Sequence, residues 1–137
     1  MEFTLERHLR CAPEHAFDLM ADARNETKWN SQVSRSELRS EEPVGPGSQF
    51  LIVNRGQEYD ATLATYERPS RLGFQIHGQM EMAIAYSFAP DEDGTRYRAV
   101  YDFRPTGATK LLAALLTPVI RRSLNKETDS FKALCER

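Results

Sequence analysis

Apolar and polar side chains alternate at the start of the chain. Phe3, Leu5 and Leu9 fall on one face and Thr4, Glu6, His8 and Arg10 on the other, which predicts a half-buried strand. Ala12-Pro13-Glu14 then opens a helix, with proline at its first position and an acid in its first turn. Pro13, Phe17 and Met20 share one face of it at helical spacing. Asp22 is placed to cap a second short helix running to Lys28 and Trp29.

From Val33 to Pro105 the texture changes to short strands punctuated by turn residues. Gly45-Pro46-Gly47 precedes Phe50 to Val53, and Asn54-Arg55-Gly56, Arg68-Pro69-Ser70, Gly78-Gln79 and Asp91-Glu92-Asp93-Gly94 have hairpin character. Between them run Tyr59 to Glu67, Leu72 to His77, Met82 to Phe88 and Thr95 to Phe103. Connections this short imply an antiparallel meander, since parallel strands need long crossovers.

Thr109 to Cys135 predicts one long helix. Leu112, Leu116, Ile120, Leu124, Thr128, Phe131 and Cys135 recur every three or four residues. Such a helix is about 40 Å long, enough to cross a sheet. Pro118 removes one backbone donor and is expected to bend it toward the sheet. The fold class is therefore α+β: a curved antiparallel sheet of six to seven strands, two short helices after the first strand, and a long C-terminal helix. A wedge between sheet and helix is hard to fill, so the architecture suggests a cavity.

Composition narrows the function. The 137 residues are 40% hydrophobic and 28% charged, values of a chain that buries a core, and residues 1–137 are expected to form one domain. A net charge of −2 gives no basic excess for nucleic acid. The apolar run Leu111–Ile120 is too short to cross a bilayer, and the N-terminus has no signal-peptide core, so membrane insertion is not expected. Cys11 and Cys135 form no framework and read as reduced thiols of a cytoplasmic protein; whether they lie close together is left open. Gly45-Pro46-Gly47 leads into a strand, not a helix, and is a turn rather than a phosphate loop. With no Cys/His cluster, H-E-x-x-H or G-x-S-x-G, no metal, cofactor or hydrolase site is expected.

Several stretches, in order, resemble the SRPBCC superfamily, the START-like group that includes polyketide cyclase/dehydratase and lipid-transport proteins. They are Leu9 to Phe17, Asp22 to Asn30, Val44 to Phe50, Glu67 to Leu72, Tyr86 to Pro90, Gly94 to Arg96 and Phe103 to Pro105, followed by the amphipathic C-terminal helix. The resemblance spans essentially the whole chain. It implies a helix-grip fold with a deep apolar pocket, and it implies little about function, because this fold serves carriers, receptors and enzymes alike.

The candidate binding residues follow from the period-two pattern. Phe74 and Ile76, Met82, Ile84, Tyr86 and Phe88, and Tyr97, Tyr101 and Phe103 are expected on one concave face, opposite Leu112, Leu116 and Ile120. Tyr59 joins them from the strand before, and Trp29 either lines the pocket mouth or plugs the core. Buried tyrosines need hydroxyl partners, which a wet or ligand-filled pocket supplies. Acid–base candidates are scattered: Glu58 or Asp60 with Arg7 or Arg98 opposite, and His77, His8 and His15 at strand ends or the surface. No nucleophile–base pair assembles from them, and the catalytic residues are left unassigned. The leading expectation is binding of a small apolar or amphipathic molecule, lipid- or polyketide-like. The alternatives are a cyclase or dehydratase using the same pocket, and an interaction module without a small ligand. The oligomeric state is open, a homodimer included.

Overall fold

The computed structural model describes residues 1–137. Seven strands form one sheet: β1 (Glu2–Leu9), β2 (Val33–Leu38), β3 (Gln49–Asn54), β4 (Gln57–Glu67), β5 (Arg71–His77), β6 (Glu81–Asp91) and β7 (Gly94–Arg104). Their spatial order is β1-β7-β6-β5-β4-β3-β2, antiparallel throughout. Helix α1 (Pro13–Ala21) and a 3₁₀ helix (Ala23–Lys28) lie between β1 and β2, while α2 (Thr109–Leu115) and α3 (Thr117–Cys135) follow β7. The expected helix-grip architecture is the one observed.

The register puts the alternating apolar residues on one face. Phe3 pairs with Tyr101, Tyr101 with Ile84, and Ile84 with Phe74. Phe74 in turn pairs with Leu63, and Ala61 with Phe50, so a single concave surface crosses the sheet. Register shifts in β2 and β4 sharpen its curvature, and the second is served by Gly73. A Cβ on Gly73 would lie 3.1 Å from the Thr65 Cβ. The β3–β4 turn has Arg55 at φ 51° and Gly56 at φ 77°, the pair of left-handed residues that matches a two-residue hairpin to strand twist.

Helix α3 lies along the concave face, with Leu124, Thr128, Phe131 and Cys135 buried. Phe131 is fully enclosed, 5.6 Å from the Trp29 ring and 5.5 Å from Tyr97. Polar ties hold the helix to the β1 edge: Arg7 donates to Asp129 at 2.9 Å and Asn125 at 2.8 Å, and Lys132 to the His8 carbonyl at 2.8 Å. The thiols of Cys11 and Cys135 also come within reach of each other there, and both are free.

The C-terminal helix differs from the single bent rod that its apolar stripe predicts. It breaks at Leu116 (φ −90°, ψ 5°), and Pro118 falls in the first turn of the new helix. That position requires no backbone donor. The Ala114 carbonyl, which a residue other than proline at 118 would have bonded, accepts instead from the Thr117 hydroxyl at 3.0 Å. The break turns α2 so that Ala113 is its buried residue, while Leu111, Leu112 and Leu115 are exposed. No helix is long and apolar enough to cross a membrane.

Candidate functional site

A cavity of about 280 Å³ lies between the concave face, the 3₁₀ helix and the start of α3. Most of the residues expected on the concave face line it. Phe74, Ile76, Met82 and Ile84 line it from the central strands, Tyr86, Tyr101 and Phe103 from β6 and β7, and Tyr59 with Ala61 from β4. Trp29 closes the inner side, edge-on to Phe131, so it lines the cavity and seals the core at once. Ile120 and Leu116 face it from the helix, and Leu116, Val119 and Arg55 are exposed there with half-buried Met80, marking the mouth. A Cβ on Gly78 would lie 2.5 Å from the Tyr59 ring, so that ring packs flat on the β5–β6 turn beside the mouth.

Three expected members are elsewhere. Phe88 and Tyr97 sit beyond the cavity with their rings 5.6 Å apart, Phe88 also 5.8 Å from the Phe17 ring, because α1 covers that end of β6. Leu112 is 56% exposed, turned outward by the break before α3.

None of the acid–base candidates lines the cavity. Tyr59 and Ala61 point into the cavity, so Glu58 and Asp60 between and beside them point out and are exposed. His77 follows inward Ile76 and pairs with Glu81 outside. Arg98 meets Glu6 on the convex face, His8 meets Asp93, and Arg7 is spent on α3.

The carboxyl groups that do reach the cavity come from the helical segments. Glu26 lies on the 3₁₀ helix, whose start is capped by Asp22 accepting from the Arg24 amide at 3.1 Å. Asn30, 3% exposed, donates from its side-chain amide to Glu26 Oε2 at 3.1 Å and accepts from the Gln32 amide at 3.0 Å. On α3, Ser123 receives the Gln32 side chain and donates to Glu127 Oε1, both at 3.3 Å. Burial raises the Glu26 carboxyl to about 7; the Asn30 amide opposes the rise and the charge of Glu127 adds to it. Glu127 is raised by burial as well, against the Ser123 hydroxyl and the Arg55 charge. The Tyr101 phenol, turned toward Tyr86 and Thr128, is driven up by burial and by Glu127. The cavity thus has an apolar aromatic wall and one acidic, hydrogen-bonding side.

The sequence carried a signal for part of that side. Leu116, Ile120, Ser123 and Glu127 follow one another at helical spacing, one step round from the core stripe. Nothing local marked Glu26, whose place depends on a 3₁₀ turn folding back against β2.

The family described as polyketide cyclase / dehydrase and lipid transport matches residues 1–136. No curated protein matches the chain by sequence. Solved structures resemble it along its length at low identity. A Bacillus halodurans protein aligns at TM-score 0.78 and 15% identity, covering 99% of this chain and 97% of its own. A START superfamily protein from Mycobacterium smegmatis aligns at 0.75 and 12%, covering 98% and 96%. The di-domain ARO/CYC BexL from the BE-7585A biosynthetic pathway aligns at 0.73 and 14%, covering 99% of this chain and 48% of that one.

Proposed function

This chain belongs to the polyketide cyclase / dehydrase and lipid transport family, and from that premise we propose that residues 1–137 act as one domain that binds a small amphipathic molecule between sheet and α3. The cavity carries the reading. Its roughly 280 Å³ stands at the small end of ligand pockets, which run from about 300 to 1,000 Å³. That volume suits one or two rings or a short chain and is far too small for a two-chain lipid. Trp29, Phe74, Ile76, Met82 and Phe103 supply apolar contact, and Tyr59, Tyr86 and Tyr101 combine it with a hydroxyl. An interaction module working by its surface alone would have no use for an open, aromatic-lined cavity.

Trp29 is the chain's one tryptophan, so its emission reports on the cavity directly. Titration with an apolar naphthalene-type probe is expected to shift or quench that emission, with a matching adduct in native mass spectrometry. Unchanged emission and no adduct would end this reading.

Glu26 favours a second reading, a cyclase- or dehydratase-type enzyme in the same cavity. A carboxyl titrating near 7 beside an apolar wall can both give and take a proton at neutral pH. Turnover of a polyketide surrogate that follows the Glu26 titration and vanishes in Glu26→Gln would establish it.

A further inference from the structure

Neither Glu26 nor Glu127 pairs with a lysine or arginine, although ten other carboxyl groups of the chain do. Each has one oxygen tied down, Glu26 Oε2 by Asn30 and Glu127 Oε1 by Ser123. The second oxygen of each has no protein donor and is not sealed in protein, while both residues line the cavity. The Tyr86 hydroxyl, on a side chain 5% exposed, lines it too, with the Tyr101 phenol beside it. Two acceptor oxygens are therefore free beside an aromatic wall, open to the donors of a ligand.

The charges facing that space decide the ligand's sign. The 3₁₀ helix presents Asp22 and Glu26, α3 presents Glu127, and the sheet presents the phenols of Tyr59, Tyr86 and Tyr101. Arg55, on the β3–β4 turn, is the one Lys or Arg among the lining residues, and it is exposed at the mouth. Asp22 is already paired with Arg24 at 2.8 Å, an arginine it shares with Glu42. An anionic ligand would enter against two carboxyl groups, and an alcohol would offer one donor and leave the charge standing. An ammonium group offers several donors and a compensating charge, and aromatic faces such as Trp29 and Tyr86 attract organic cations.

We infer that the cavity takes a small organic amine, an ammonium group on one apolar ring or a short chain, held by the free oxygens of Glu26 and Glu127. The inference rests on the ligand-binding reading above and gives its ligand a charge. Cation binding requires Glu26 to be ionised. Since its carboxyl titrates near 7, affinity is expected to rise about tenfold between pH 6 and 8. Asp22 is paired with Arg24, and burial raises the Tyr86 and Tyr101 phenols well above that range.

Trp29 emission and calorimetry with phenethylamine, 2-phenylethanol and phenylacetate, repeated with hexylamine, 1-hexanol and hexanoate, test the charge at fixed shape. The amines are expected to bind at least tenfold tighter than the alcohols, with the carboxylates weakest. Glu26→Gln and Glu127→Gln, checked for folding by circular dichroism, should each shrink that preference, and the double variant should bring it within about threefold. Alcohols or carboxylates binding as well as the amines, or an amine preference that survives both substitutions, would overturn the amine assignment and leave the cavity reading intact. Failure of every compound, together with the naphthalene probe, would overturn both.

Discussion

The side-chain amide of Asn30 donates to the Glu26 carboxylate across 3.1 Å from a residue that is itself 3% exposed. This contact opposes a burial that still leaves Glu26 near 7 against an ordinary 4.5. Through that window the folded state keeps a proton that the unfolded state has released. Stability from this group is therefore complete below about pH 4.5 and declines as pH climbs toward 7. Removing the titration with Glu26→Gln should make the variant gain on the wild type over that range, by on the order of 3 kcal/mol. Asp18 and Glu136, held low by Arg68 and Lys132, tilt both curves the other way and cancel in the difference. Urea unfolding at pH 4.5, 6 and 8 measures it, and parallel curves would mean that Glu26 is solvated.

Leu116 and Leu112 separate the mouth from the surface beside it. Leu116→Trp should carry its ring into the cavity, hold or raise the melting temperature, and block uptake of the naphthalene probe. Leu112→Trp, on the outer side of α2, should leave uptake within about twofold. A fall in melting temperature at Leu116, of the kind that about 1–3 kcal/mol of overpacking produces, would show a filled site instead.

Gly94 begins β7 against the end of β1. A Cβ there would stand 2.0 Å from the Leu9 carbonyl oxygen, and backbone cannot swing aside as a flexible side chain does. Gly94→Ala should cost about 3 kcal/mol in chemical denaturation, at the upper end of overpacking. Gly45→Ala, with nothing within 4 Å of the added carbon, should stay within about 0.5 kcal/mol.

The two thiols should be unreactive for a shared reason. Burial raises both Cys11 and Cys135, and each also feels the other. Since the thiolate is the nucleophile, an aromatic disulfide reagent at pH 8 should modify neither at the rate of an exposed cysteine until denaturant is added. Rapid modification of either in the native protein would refute this.

The strands were readable because they obey a local rule. A period of two in Phe74 and Ile76, or Tyr101 and Phe103, sets the inward face wherever the sheet curves. The same rule, applied to β4, would have sent Glu58 and Asp60 outward with Tyr59 inward. Those two carboxyls stand out by their charge, but alternation and not charge decides which side of a strand a residue faces. The helix break was less accessible. Pro118 announced an interruption, but whether a helix bends or restarts depends on what the turn before it can bond, and Thr117 provided the means to restart. Glu26 depended on tertiary placement alone.

The pairing of β1 with β7 bears on how the molecule comes into being. Arg7 and Asp129, which join β1 to α3, are 122 positions apart, and the sheet between them is built from neighbours added one after another. Phe3, Leu5 and Leu9 are made first and have no strand to lie against until β7 exists. Contacts so distant in sequence make folding slow, on the millisecond-to-second scale of sheet proteins rich in non-local pairing. Glu26 lies near one end of the chain and Glu127 near the other. The acidic side of the cavity is therefore complete only with both ends of the chain in place, the 3₁₀ helix against β2 and the last helix against the sheet.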